Sequence, residues 1–158
     1  ASRKRRRARI ASLIGLGLVL FELWPTPIAL TPVAPRQVDL WLAEQPDQFT
    51  IIELPLVSAL GAAQMQYTRY HGKRIAFAYG TYYPYWYRQS FPELSTCPQP
   101  GCLKRLREWD VRYVLLNRDA TDREPTLESE LERSPELRRV GQFDNITVFE
   151  LLPAKPDG

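Results

Sequence analysis

Residues Ile10–Trp24 are a 15-residue apolar run broken by a single charge, Glu22, and preceded by Arg3, Lys4, Arg5, Arg6, Arg7 and Arg9. This arrangement divides the chain, because a basic cluster feeding an apolar helix that closes on a Trp suits a bilayer rather than a water-facing core. At ~1.5 Å per residue the run reaches roughly 22 Å, short of a ~30 Å hydrocarbon core. A signal-peptide core, a signal anchor and a short spanning helix all fit that length. The small residues a signal peptidase needs, near Ala29 and Ala34, sit among prolines, which favours retention of the segment. The positive-inside rule keeps residues 1–9 in the cytoplasm, lets 10–24 span the cell membrane, and puts everything after about residue 25 outside. Membrane lipid is thus the first expected partner.

The formal charge of +3 belongs to that basic flank. Beyond it the chain carries 15 basic and 18 acidic residues, a net of −3, so the rest has no basic excess to hold nucleic acid. The flank itself reads as a topogenic signal at the anionic inner leaflet. Residues 25–35 hold Pro25, Pro27, Pro32 and Pro35 and form an extended linker. Residues 36–153 are long enough for one domain with a real core, and 154–158 are a tail.

Within 36–153, helical and strand patterns alternate. Arg36–Gln45 repeats apolar residues at helical spacing (Val38, Trp41, Leu42), and Phe49–Leu54 is a buried strand closed by Pro55. Ser58–Tyr70 reads as a helix and Arg74–Tyr79 as a strand stopped by Gly80. Tyr82–Phe91 is crowded with aromatics around Pro84. Gly101–Trp109 is an amphipathic helix, Val111–Asn117 the clearest strand, and Pro125–Arg133 a short helix with Pro125 in its first turn. Arg138–Phe143 and Ile146–Leu151 flank the turn pair Asp144-Asn145 and predict an antiparallel hairpin. The order predicts an α/β domain with a single mixed sheet of about five strands and packed helices, preceded by one N-terminal transmembrane helix.

The two cysteines, Cys97 and Cys102, frame a Pro-Gln-Pro-Gly loop. Outside the cell a disulfide is the expected state, free thiols being the alternative. A zinc site needs further ligands, and His71 is the sole histidine, so no metal and no cofactor is expected. Nucleophile elbows, phosphate-binding glycine loops and His-Glu-x-x-His are missing from the sequence, so no catalytic residue is assigned. Glu53 closes one buried strand, and Asn117 and Asp119 follow another, where open α/β sheets gather ligands. They form either one polar crevice or, less specifically, a carboxylate paired to an arginine and a solvated strand end. His71 sits between a helix and a strand, as a contact residue or in a structural hydrogen bond. Tyr79 and Tyr82 belong to an aromatic run reaching Tyr87 that suits core packing, a lipid interface or a glycan. Asn145-Ile146-Thr147 is a formal glycosylation sequon.

Several short motifs occur together: Glu22-Leu23-Trp24-Pro25, Trp41-Leu42-Ala43, Ile52-Glu53-Leu54-Pro55-Leu56, Tyr70-His71-Gly72-Lys73-Arg74, Gly80-Thr81-Tyr82-Tyr83-Pro84 and Val111-Arg112-Tyr113-Val114-Leu115. In this combination the chain resembles the C-terminal end of bacterial membrane glycosyltransferases of the GT-C superfamily, mannosyltransferase-like enzymes using polyprenyl-phosphate sugars. The resemblance implies a soluble accessory domain after the last span of a multi-pass protein. The rest of that protein would be its partner, and its catalytic acid lies in an early outer loop outside this chain. A glycan or a polyprenyl-phosphate sugar is then a further implied partner, with Glu53, His71, Tyr79, Tyr82, Asn117 and Asp119 as contact candidates. Where such proteins often close the last core strand with a His, this chain has Asn117. A single-pass anchored binding domain without catalysis is the alternative.

Overall fold

Three parallel strands and a closing antiparallel hairpin build one mixed sheet. The structure, a computed structural model, describes residues 13–22, 33–56, 58–78, 80, 83–123 and 126–154. The strands are β1 (Thr50–Leu54), β2 (Arg74–Ile75), β3 (Val111–Asn117), β4 (Leu137–Phe143) and β5 (Ile146–Leu151), in the spatial order β2-β1-β3-β5-β4. β1 runs parallel to both β2 and β3, whereas β5 is antiparallel to β3 and β4. The hairpin turns at Asp144, whose φ of 50° supplies the left-handed residue that so short a reversal needs.

The strand period of two sorts the side chains onto two faces. Ile51, Tyr113, Leu115, Ile146 and Val148 point to one face, where Val38 and Leu42 of helix α1 (Gln37–Glu44) complete a core. Helix α2 (Ser58–His71) packs beside α1. Ile52, Leu54, Val114, Leu116 and Phe149 point to the other face. There they meet Leu94 of α3 (Tyr85–Leu94), Leu103 and Leu106 of α4 (Pro100–Glu108), and Leu131 of α5 (Leu127–Arg133). Both faces are covered, which is why β3 carries the unbroken apolar run Tyr113–Leu116 rather than an alternating pattern. Each fully buried leucine contributes about 1.5–3 kcal/mol of transfer free energy.

The expected α/β architecture with one mixed five-stranded sheet is present. One local expectation needs correction, and two elements are added to those expected. The strand expected over Arg74–Tyr79 is only Arg74–Ile75 among the described residues, because the backbone bends at Ala76 once its N–H has met the Ile51 carbonyl at 2.8 Å. The aromatic segment after Pro84 is a helix, α3, despite Pro92 inside it. A 3-10 helix, Arg118–Arg123, follows β3.

Cys97 and Cys102 are joined in a disulfide, with their Cα atoms 5.2 Å apart, so the oxidised state is the one present. It ties the turn after α3 to the first turn of α4, where Pro100 starts the helix and Cys102 is buried.

Contacts divide the chain into Ala1–Pro32 and Val33–Gly158. In the first unit residues 13–22 are helical and their apolar side chains are exposed. Among the described residues no helix is long and apolar enough to cross a membrane. The rest of the apolar run 10–24 lies outside them, as do the basic flank and most of the linker.

Candidate functional site

Glu53 and Asn117 share a sheet face because both continue the odd-numbered rows of their strands, beyond Ile51 and Leu115. Glu53 is buried at 6% exposure, so its charge demands a partner. The partner is Arg36, the residue preceding α1. Its Nη1 donates to both Glu53 carboxylate oxygens, at 3.1 and 3.0 Å. The same guanidinium donates through Nε and Nη2 to the two oxygens of Asp39, at 3.1 and 2.9 Å. Asp39 is wholly buried in the first turn of α1, where its carboxylate also accepts the Arg36 backbone N–H at 2.8 Å. That position favours an anion through the partial positive charge of the helix start.

One cation therefore serves two carboxylates, and it also lies over the Tyr67 ring of α2, 3.8 Å from the centroid. Burial works against the Arg36 charge, but Asp39 and Glu53 outweigh it and hold its pKa above the ordinary value. On the far side of Glu53, Oε1 accepts the Asn117 side-chain N–H at 3.0 Å. Asn145 in the hairpin turn extends the chain of bonds, donating to Asn117 Oδ1 at 3.4 Å and to Asp119 Oδ2 at 2.5 Å. The network stitches the start of α1 to the ends of β1 and β3 and to the β4–β5 turn.

Of the residues singled out from sequence, Glu53, Asn117 and Asp119 thus lie in one hydrogen-bonded network. For Glu53 the carboxylate paired to an arginine is the arrangement present. His71 stands apart from these bonds. It is buried, and its Nδ1 accepts the Lys73 backbone N–H at 2.9 Å. Burial lowers its pKa; the Asp39 charge opposes that shift, and the Arg36 and Lys73 charges add to it. Lys73 itself donates to the Gln45 and Asp47 carbonyls, at 2.7 and 2.9 Å. Tyr79 and Tyr82 lie outside the described residues. Arg36 and Asp39 are members of the cluster that the sequence reading did not single out; Tyr67 entered it only with the aromatic run and Asn145 only as a turn and sequon residue. The visible signal was the Arg36/Asp39 spacing at a helix start.

The aromatic run divides by role. Phe77 is buried. The Tyr87 hydroxyl donates to the Ala76 carbonyl at 3.0 Å and accepts the Ala78 N–H at 3.2 Å. The Tyr83 hydroxyl repeats this two residues on, with the Ala78 carbonyl and the Gly80 N–H, both at 3.1 Å. Tyr87 stacks on Trp109 at 5.8 Å, and Trp86 meets Trp109 edge-on at 6.3 Å. Tyr85 and Trp86 remain 75% and 61% exposed. Among the described residues no cluster of His, Cys, Asp and Glu has the makings of a metal site.

No family model and no curated protein sequence matches this chain. Among solved structures, it is similar to the C-terminal globular domain of an oligosaccharyltransferase (AfAglB-S2) from Archaeoglobus fulgidus. The TM-score is 0.53 at 11% identity, over 78% of this chain and 99% of that domain. At that identity the likeness is one of fold.

Proposed function

We propose that this chain is the C-terminal, extracytoplasmic accessory domain of a membrane glycosyltransferase that uses a lipid-linked sugar, its catalytic region lying outside residues 1–158. The fold likeness carries the reading: nearly the whole of a domain named as the C-terminal globular part of an oligosaccharyltransferase is matched. The basic flank and apolar run before the domain support the same placement. The Glu53 cluster supports an architectural role, because Arg36 and Asn117 already occupy the Glu53 carboxylate. A side chain engaged in this way is poorly placed to move a proton for a substrate. The domain is then a lid or a positioning surface for the acceptor.

The test is made on the parent protein in its membrane. Removing residues 33–158 while keeping expression should abolish or strongly reduce transfer from a polyprenyl-phosphate sugar, and a reporter fused after Gly158 should be active only outside the cytoplasm. Undiminished transfer without the domain would overturn the reading, as would robust sugar transfer by residues 33–158 alone. A start codon just before the arginines would instead favour a single-pass anchored binding domain.

A further inference from the structure

We infer that the first turn of α3, carrying Tyr85 and Trp86, is a docking surface for the headgroup layer of a phospholipid bilayer. The inference deepens the proposed membrane placement and rests on residues 10–24 being embedded. Three observations carry it. The first is exposure: an indole and a phenol stand 61% and 75% in water on one helical turn. Exposed Arg88 lies three residues from Tyr85 and so on the same side of the helix. Two amphipathic rings with a neighbouring cation are the composition that settles where apolar chains meet phosphates.

The second is rigidity. Trp86 leans edge-on against Tyr87 at 5.6 Å and Trp109 at 6.3 Å. Tyr87 is itself stacked on Trp109 and bonded through its hydroxyl to the backbone at Ala76 and Ala78. The indole is held in place before anything binds, so little side-chain entropy is lost on docking. The same bonds argue against a sugar. The neighbouring groove of about 250 Å³ is lined by Ile75, Pro84, Tyr83, Trp86 and Tyr87. Its two tyrosine hydroxyls are already spent on backbone partners. A sugar needs convergent polar groups as well as an aromatic face.

The third is tether length. From Trp24 to Val33 is nine residues, a reach of at most about 32 Å. The second unit, Val33–Gly158, has an expected radius of gyration of about 14 Å. With the apolar run embedded, a tether of that length makes any contact between the domain and the bilayer an intramolecular one, so a weak two-ring contact suffices.

The experiment uses the whole chain, with Trp24→Phe to silence the tryptophan of the apolar run, on vesicles of phosphatidylcholine and phosphatidylglycerol. Flotation reports whether the chain binds; quenching by lipids brominated near the headgroup reports which tryptophan touches lipid. The chain should float and its fluorescence should be quenched. Trp86→Phe should remove most of the quenching while flotation and the thermal melt stay unchanged. Flotation with quenching that survives Trp86→Phe overturns the docking surface and leaves the anchor reading intact. Failure to float overturns the anchor reading, and the docking surface with it. A response of Trp86 to soluble oligomannosides but not to brominated lipid also overturns the inference, in favour of a sugar.

Discussion

Arg36 concentrates the energetics of the Glu53 cluster, because two buried carboxylates and one aromatic face share a single guanidinium. Removing Glu53 leaves that cation with one carboxylate in a largely dry site. Glu53→Ala should cost about 3 kcal/mol, the lower end for a broken buried ion pair, since Asp39 and Tyr67 still hold Arg36. The check is the urea midpoint at unchanged slope; a shift within error would remove the cluster from the account of stability. His71 gives a pH signature. Its folded-state pKa is lowered, first by burial, so the unfolded chain takes up a proton that the folded chain resists. Stability from this group is complete above about pH 6.5 and falls as pH drops below it, by at most ~1.4 kcal/mol per pH unit. His71→Asn keeps an acceptor for the Lys73 N–H and should flatten the melting profile between about pH 7 and 5.5. An equal fall in the variant would assign the dependence to other groups. Glu53 and Asn117 were legible as polar ends of apolar strands. Their partner was not, because which of many arginines reaches Glu53 depends on where the start of α1 lands, 17 residues away in sequence.

β1 and β3, rich in β-branched and apolar residues with one charge each, Glu53 and Arg112, were readable because both faces of the sheet are covered and such residues do not alternate with polar ones. α3 was harder to read. Its sequence, Tyr-Trp-Tyr-Arg-Gln-Ser-Phe-Pro-Glu-Leu, has mediocre helix formers and an internal proline. Pro84 suits the residue before a helix, and the packing of Leu94 with α4 supplies what propensity does not. β2 is short for a tertiary reason as well, since Tyr83 and Tyr87 claim the backbone that continues it. The disulfide acts at this scale. It closes a loop of only six residues, so the entropic account allows at most about 2–3 kcal/mol. Cys97→Ala with Cys102→Ala should lower the melting temperature modestly, keep the circular dichroism spectrum, and make the protein indifferent to reductant. Loss of the spectrum would mean that the bridge organises more than the α3–α4 turn.

At the scale of the molecule, alternation of helices and strands was enough to predict a mixed sheet, and the Asp144-Asn145 pair to predict its closing hairpin. The treatment of the sheet margins was invisible in pattern alone, since it depends on side chains meeting backbone from other elements. At the β4 margin the register shifts between Arg139 and Gly141, and Arg138 and Arg139 stand exposed. Just past β2 two tyrosine hydroxyls occupy the Ala76 and Ala78 carbonyls and the Ala78 and Gly80 N–H groups. Tyr83→Phe with Tyr87→Phe keeps the ring stack and frees those groups. The double variant should melt about 1–2 kcal/mol less stably, from the hydrogen bonds lost. Unlike the parent, it should also form thioflavin-positive material on prolonged incubation; clear solutions from both would remove the margin from consideration. Each tyrosine hydroxyl thus takes backbone groups on the row that faces β1, the row of the Ala76 N–H, and ends that ladder. Backbone groups left open beside a sheet recruit further strands, which is the consequence the double variant tests. Two oxygen atoms set where the pairing of β2 with β1 stops and the approach to α3 begins.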